Sequence, residues 1–454
     1  MSSTKFQKKQ LDDLVSEAQR RIDLSSAQNP SLRKAIGIVE AFLKRTARVC
    51  YGGQAINAQL PTKDQFYNPD VSLPDYDFFT PDAANDTRAI IDDLKAAGYT
   101  EIAKRIGIHE GTIKIYVNYT AIADITQIVP DFYLNIYNKS VRVDGIQYAD
   151  PIFLRMMMYL ELSRPRGEVA RWSKVYERLV LFDKSHPLPY CKGTLVQSRA
   201  AGEVRPSLVR YMVKNHRALM GGDVHLMYRG HSTSPASRSK LLFQSRVPLV
   251  FLSPDADLDA DMLKDQIEAK KVPISGYQNI LPAMVALYHG EDLVCVIVQE
   301  EACHSIVTLP LTNKKTLRVA SLDTMLTFLI GLYYRDDSIL MTQESILCWL
   351  KQYIDLSNRY KKNPTTLFPS FSIECDGYQT SFASLLRAKG ARIEAARQHV
   401  SSGTRLDTNT RRRSSMSRVR HSLRHIHRRS HRRSHRRSHR RSHRTRRSTT
   451  GSVA

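Results

Sequence analysis

One six-residue phrase returns in this sequence with four of its six residues unchanged. Phe78-Phe79-Thr80-Pro81-Asp82-Ala83 returns as Phe251-Leu252-Ser253-Pro254-Asp255-Ala256, and the helical spacing behind it agrees, Ile90 with Leu263 and Leu94 with Ile267. Upstream, Tyr51-Gly52-Gly53 has a counterpart in Tyr228-Arg229-Gly230. Downstream, Val141-Arg142-Val143 matches Leu317-Arg318-Val319, and both precede an apolar helix. The three offsets are 177, 173 and 176 residues, in one order along the chain. Ordered self-similarity of this kind indicates a duplicated fold. The copies differ at their acids: Asp75 aligns with Pro248, Asp77 with Val250, and the segment around Asp124 with Ala302-Cys303-His304-Ser305. The comparison separates what the fold requires from what chemistry requires, and the second copy reads as degenerate.

Within the first copy, periodicity predicts helices carrying Leu11, Leu14, Ala18 and Ile22, and then Ile36, Val39, Phe42 and Leu43. A strand over Arg48 to Tyr51 ends in Gly52-Gly53, which opens a short helix with Asn57 and Leu60. Asp75 to Thr80 reads as a strand, followed by a helix capped by Thr80 or Asp82. Thr112 to Asn118 alternates, Ala121 to Val129 is a further strand, and helices follow at Asp131 to Tyr137, Tyr148 to Ser163 and Glu168 to Phe182. Strands mixed with short helices indicate an α/β (α+β) fold. Domain boundaries are expected at 1–195, 205–400 and 404–454, in keeping with a length of 454 residues.

The formal charge is +24, and the 17 arginines between Arg411 and Arg447 carry most of it. Four Arg-Arg-Ser-His tetrads run from Arg428 to His443. Such a segment cannot bury enough apolar surface to order itself and is expected to be disordered. Arginines at this density bind phosphate backbones with little sequence preference. Six cysteines without a CxxC pair predict neither a zinc site nor a disulfide framework. With no apolar run approaching 18 residues and a polar start from Met1 to Asp13, the reading is a protein that is not secreted and has no membrane partner.

The chemistry-bearing residues cluster in the first copy. Asp75 and Asp77 share one face of a strand, because side chains alternate with period two. Two such carboxylates repel unless a cation sits between them, and hard oxygen ligands beside a phosphate substrate suit Mg²⁺, with Mn²⁺ as the alternative. Asp124, on a neighbouring strand, is the candidate third ligand. Gly52 and Gly53 allow close backbone approach to a phosphate, to which Gln54 or Asn57 could add a donor. The basic stretch from Arg155 to Arg178 interleaves Trp172 and Tyr176, and within it Arg164 and Lys174 are the candidate phosphate contacts. No Walker A, GxGxxG or HExxH motif occurs.

Gly-Gly at a helix, Asp-x-Asp on a strand and a lone Asp on another strand is the layout of the nucleotidyltransferase superfamily that includes DNA polymerase beta and poly(A) polymerases. The segments YGGQAIN (51–57), PDYDFFTPD (74–82), AIADIT (121–126) and YADPIFLRMMMYLELSRPRGEVARWSKVYERL (148–179) resemble the poly(A) polymerase catalytic subunit of large nucleocytoplasmic DNA viruses. The resemblance is tight from about Val49 to Phe182, loose through the second half and absent in the tail. It implies two tandem nucleotidyltransferase-like domains, the second degenerate. It also implies template-independent addition of AMP from ATP to an RNA 3′ end. Asp75 and Asp77 would hold Mg²⁺ with the triphosphate, Asp124 would join the metal that activates the 3′-hydroxyl, and Gly52 and Gly53 would cradle the β/γ-phosphates. A homodimer and a viral protein of the host cytoplasm or virion follow from the same resemblance. The superfamily often has Gly-Ser where this chain has Gly52-Gly53. Two further readings of the residues are a nucleotidyltransferase of other nucleotide choice and a non-catalytic nucleic-acid-packaging protein.

Overall fold

A computed structural model describes residues 2–68, 70–231, 234–277, 280–335, 339–362 and 371–401; the arginine-rich tail lies outside the described residues. The chain divides into two units, Met1–Lys389 and Gly390–Ala454, and both sheets belong to the first. Helices α1 (Ser2–Gln28) and α2 (Pro30–Thr46) lead into β1 (Val49–Tyr51) and α3 (Gly52–Ala58). There follow β2 (Tyr76–Thr80), α4 (Ala83–Ala96), β3 (Ile102–Ile106), β4 (Thr112–Val117), β5 (Thr120–Gln127), α5 (Pro130–Lys139), the hairpin β6 (Val141–Val143) and β7 (Ile146–Tyr148), α6 (Pro151–Leu162) and α7 (Trp172–Ser185). The second half runs α8 (Arg199–Lys214), β8 (Ala218–Met220), α9 (Gly221–Leu226), α10 (Pro235–Gln244), β9 (Leu249–Ser253), α11 (Ala256–Lys264), β10 (Lys270–Ile274), β11 (Met284–His289), β12 (Asp292–Gln299), β13 (His304–Pro310), β14 (Thr316–Ala320), α12 (Leu322–Tyr333), α13 (Gln343–Lys362), β15 (Cys375–Asp376) and α14 (Phe382–Ser401). α2 starts where Asn29 accepts from the N–H groups of Ser31 and Leu32, and it buries Ile36, Val39, Phe42 and Leu43. α1 is helical as its spacing predicts, yet Leu11, Leu14 and Ile22 are exposed and face no core.

The two sheets have one topology. The first runs β3-β4-β5-β2-β1-β7-β6; the second runs β10-β11-β12-β9-β8-β14-β13, with β15 added at its edge. Every equivalent pair has the same direction, parallel for β2/β5 and β9/β12 and antiparallel for β1/β2 and β8/β9. A salt-bridged corner is also repeated. Arg48 pairs with Asp86, which accepts from Thr80, while Arg217 pairs with Asp259 beside Ser253. Gln127 and Gln299 accept from the first backbone N–H of α4 and α11 respectively, and Asp82 and Asp255 cap those helices.

Register corrects three of the sequence matches. Val49 pairs with Phe79 and Ala218 with Leu252, so Tyr51-Gly52-Gly53 corresponds to Met220-Gly221-Gly222 and not to Tyr228-Arg229-Gly230. Asp77 pairs with Asp124 and Val250 with Val296, so the position of Asp124 is taken by Val296 rather than by the 302–305 segment. Cys50 pairs with Tyr148 and Leu219 with Val319, so Leu317–Val319 belongs with β7 rather than with Val141–Val143. The reason is loop length: the second copy inserts α10 between its glycine turn and β9, so no single offset holds along the chain.

The cysteine expectation is also corrected. Cys191 is bonded to Cys348 and Cys303 to Cys375, with Cα atoms 5.0 and 5.3 Å apart. The partners lie 157 and 72 residues apart, a separation that local spacing cannot reveal. Cys50 and Cys295 are buried thiols. No helix among the described residues is long and apolar enough to cross a membrane.

His304, beside the second disulfide, is 8% exposed and its Nε2 has no hydrogen-bond partner. Burial, with the Arg164 charge adding to it, pushes the imidazole down from 6.5 to about 3. The folded state therefore holds it neutral while the unfolded chain protonates it. Its contribution is fully present above pH 6.5 and is lost as pH falls towards 3. His304→Leu is expected to flatten this acid-side loss by on the order of a few kcal/mol, read as the difference from wild type in denaturation midpoints at pH 7.5 and 4.5.

Candidate active site

The site is built where β1 turns into α3. Tyr51 is the last extended residue, with φ −135° and ψ −169°, and the chain then reverses at Gly52, whose φ is +75°. Only glycine adopts this conformation without strain. A Cβ on Gly52 would also stand 2.5 Å from Asp77 Oδ2. Gly53 is crowded from the other side: a Cβ there would meet the Tyr67 hydroxyl at 2.7 Å and Arg178 Nη1 at 3.0 Å. The two glycines thus let the backbone pass between a carboxylate and a guanidinium.

Strand register supplies the acids. Asp77 lies directly opposite Asp124 across the parallel pair β2/β5, and Asp124 lies opposite Lys114 across β4/β5. Asp75 stands one residue before β2, which begins at Tyr76 rather than at Asp75 as expected, and its side chain is exposed at the rim. The Asp77 carboxyl is pushed up to about 8, first by burial and then by the charges of Asp75 and Asp124. Asp75 is raised by the same desolvation and by Asp124, with Lys114 opposing. Lys114 Nζ forms a salt bridge with Asp124 Oδ2, whereas Asp124 Oδ1 is buried without a hydrogen-bond partner. Below the acids, Tyr51 stacks on Phe79 with ring centroids 3.9 Å apart and shares a 2.9 Å hydrogen bond with Thr126.

A divalent ion would find suitable donors here. Three hard carboxylates lie within electrostatic reach of one another, one oxygen is orphaned, and the mutual repulsion that raises Asp77 is what a cation relieves. As the side chains stand, no three acids, histidines or cysteines among the described residues are close enough to hold an ion together, and Lys114 occupies one oxygen of Asp124.

The other predicted residues divide. Gln54 is half-buried on α3 with Oε1 lacking a hydrogen-bond partner. Asn57 is 5% exposed, and its Oδ1 accepts from the backbone N–H groups of Phe66 and Tyr67 at 2.8 and 2.9 Å. Its amide is spent holding the loop that brings Tyr67 over Gly53, so it is not turned towards a ligand. Lys174 is exposed on α7 between Arg171 and Arg178, whose like charges add to desolvation in lowering its pKa. Arg164 is half-buried just after α6 and faces Glu301 and His304 of the second half. Arg155 is a core residue, 2% exposed and paired with Asp183.

Sequence reasoning missed Lys114 and Tyr67 as participants, and named Arg178 only within the basic stretch. Lys114 was legible as a polar residue on an alternating strand, but its partner was not. Tyr67 and Arg178 meet across 111 residues, with Arg178 Nη2 donating to the Tyr67 hydroxyl at 2.8 Å and its guanidinium 4.3 Å from the Phe66 ring centroid. The second copy keeps the turn and loses the site. Gly221 has φ +72°, yet Val250 stands where Asp77 would be, and Val247 and Leu195 close over Gly222.

Comparison with known proteins agrees with this geometry. Residues 37–168 match the family model described as poly(A) polymerase catalytic subunit. Over 188 residues the chain is 28% identical to a protein of Acanthamoeba polyphaga mimivirus named "Putative poly(A) polymerase catalytic subunit", covering 40% of this chain and 31% of that one. A protein of the same name from African swine fever virus is 24% identical over 181 residues, 38% of each chain. The matched region thus spans about a third of the length of these curated relatives. The crystal structure of the Megavirus polyadenylate synthase shares the fold, with a TM-score of 0.71 at 17% identity over 90% of this chain and 89% of that one. Residues 37–168, which hold the glycine turn and all three carboxylates, give this chain its likeness to the viral poly(A) polymerase catalytic subunits.

Proposed function

We propose that the protein is a template-independent polynucleotide adenylyltransferase that transfers AMP from ATP to the 3′ end of RNA and releases pyrophosphate. The observation that carries this reading is the in-register pair Asp77 and Asp124 beside the Gly52 turn, in the segment that matches the family. Asp75, Asp77 and Asp124 would hold Mg²⁺ or Mn²⁺. When bound, the metal supplies neutralisation of the phosphates and activation of the 3′-hydroxyl. Gly52 and Gly53 let the backbone approach the phosphates. Arg178, held by Tyr67 and Phe66, and Lys174 add positive charge on the same side. The 3′-oxygen attacks the α-phosphorus in line, and the bond to the β-phosphate oxygen breaks. The second copy serves as scaffold. The domain limits 1–195, 205–400 and 404–454, a homodimer, and a place in the host cytoplasm or virion complete the reading. Viral relatives support the location.

Primer extension tests it. A labelled RNA with Mg²⁺ and each nucleotide separately is expected to give a ladder with ATP alone, lost in Asp75→Ala/Asp77→Ala. A ladder with another nucleotide overturns the substrate. No extension by either protein, at equal RNA affinity, overturns the enzyme. Arg178→Ala is expected to raise the KM for ATP by about tenfold or more through loss of a charge-assisted phosphate contact, with a smaller change in kcat, as steady-state kinetics would read.

A further inference from the structure

The comparison of the two copies marks one more residue. Asp75 just before β2, Asp77 on β2, Asp124 on β5 and Lys114 on β4 occupy adjoining positions. Their counterparts by register are Pro248, Val250, Val296 and Ala286. All four polar groups are replaced by apolar ones. In the same two sheets the corner that the fold needs is kept, Arg48, Asp86, Thr80 and Gln127 reappearing as Arg217, Asp259, Ser253 and Gln299. Lys114 therefore travels with the acids and not with the sheet. A lysine required only to build β4 has no reason to vanish when its acid neighbour does.

Its contact is specific. The ammonium takes Asp124 Oδ2 and leaves Oδ1 buried and partnerless. A divalent ion arriving on Asp124 must either displace that ammonium or accept it as a like-charged neighbour, and Coulomb repulsion at such separations in a partly buried site is strong. We propose that Lys114 is a positioning residue: it holds Asp124 out of the metal set in the free enzyme, so that Asp75 and Asp77 bind first and Asp124 engages last. The inference rests on the metal-site reading given under the proposed function.

Mn²⁺ binding to the full-length protein without nucleotide or RNA, followed by the EPR signal of free Mn²⁺, tests it. Asp75→Ala/Asp77→Ala serves as the blank for ions held elsewhere. Lys114→Gln is expected to bind Mn²⁺ about tenfold tighter or more. Adding Asp124→Asn to that variant should erase the gain, whereas Asp124→Asn alone should change wild-type affinity less than about threefold. Lys114→Arg, which keeps the charge, should retain wild-type affinity. Equal or weaker binding by Lys114→Gln, with a clear difference between wild type and blank, overturns the role of Lys114 and leaves the metal site standing. Identical binding by wild type and blank removes the metal-site reading and this inference with it. Thermal melting of each variant identifies a folding defect, and the Lys114→Arg comparison carries the test should Lys114→Gln melt.

Discussion

Asp77→Asn is expected to lower nucleotide transfer by on the order of a thousandfold or more while making the metal-free protein more stable. The two effects have one cause. Asp77 is raised to about 8 by burial and by Asp75 and Asp124, so ionising it in the folded state is unfavourable. The unfolded chain ionises it near 3.8, so the folded state binds the extra proton between 3.8 and about 8. Wild-type stability without metal therefore falls as pH rises across that window, by on the order of a few kcal/mol, and levels off above it. Asn carries no such dependence. Because His304 works in the opposite direction on the acid side, the informative quantity is the difference between variant and wild type at each pH in EDTA. That difference should grow from pH 5 to 8 and shrink when Mg²⁺ is added. A variant that is inactive and also less stable at pH 8 in EDTA would mean that Asp77 is a structural residue.

The second large effect is a contrast between two glycines in one conformation. Gly52→Ala and Gly221→Ala each force a side chain into positive φ, at +75° and +72°, which costs about 1–2 kcal/mol. Each new Cβ also collides, at 2.5 Å with Asp77 Oδ2 in the first copy and at 2.7 Å with Val250 Cγ2 in the second. Stability should fall in both, by a similar or greater amount for Gly221→Ala because its neighbour is packed core. Activity should separate them. Gly52→Ala moves the Asp77 carboxylate and is expected to reduce kcat by about a hundredfold or more, whereas Gly221→Ala should keep near-normal kcat below its melting temperature. Urea denaturation beside primer extension reads both, and equal losses of kcat would remove the distinction between an active and a degenerate copy.

Much of this site was legible because its signals are local. The pairing of Asp75 with Asp77, the glycine turn after a short strand, and the Asp82 cap all fall within a few residues. Some local signals went unread. Asp144-Gly145, with φ values of +50° and +83°, is a two-residue hairpin turn between Val141–Val143 and Ile146–Tyr148. The stretch from Arg155 to Arg178 shows the limit of composition. Its charges look alike in sequence, yet Arg155 is core, Arg164 faces the second sheet, Lys174 is exposed on α7, and Arg178 on the same helix stands beside the glycine turn.

The sequence alone determined the α/β character, the duplication, and the grouping of Asp75, Asp77 and Asp124 in the first copy, because alternation, capping and glycine geometry act between near neighbours. Tertiary structure alone decided the register that aligns Gly52 with Gly221 and Asp124 with Val296. It also decided the disulfides, the placing of Arg164 against Glu301 and His304, the clasp of Tyr67 on Arg178 and the hold of Lys114 on Asp124. Each of these is a meeting of side chains whose partner is set by strand order and packing, and loops of unequal length remove any fixed spacing from which the pairs could be counted.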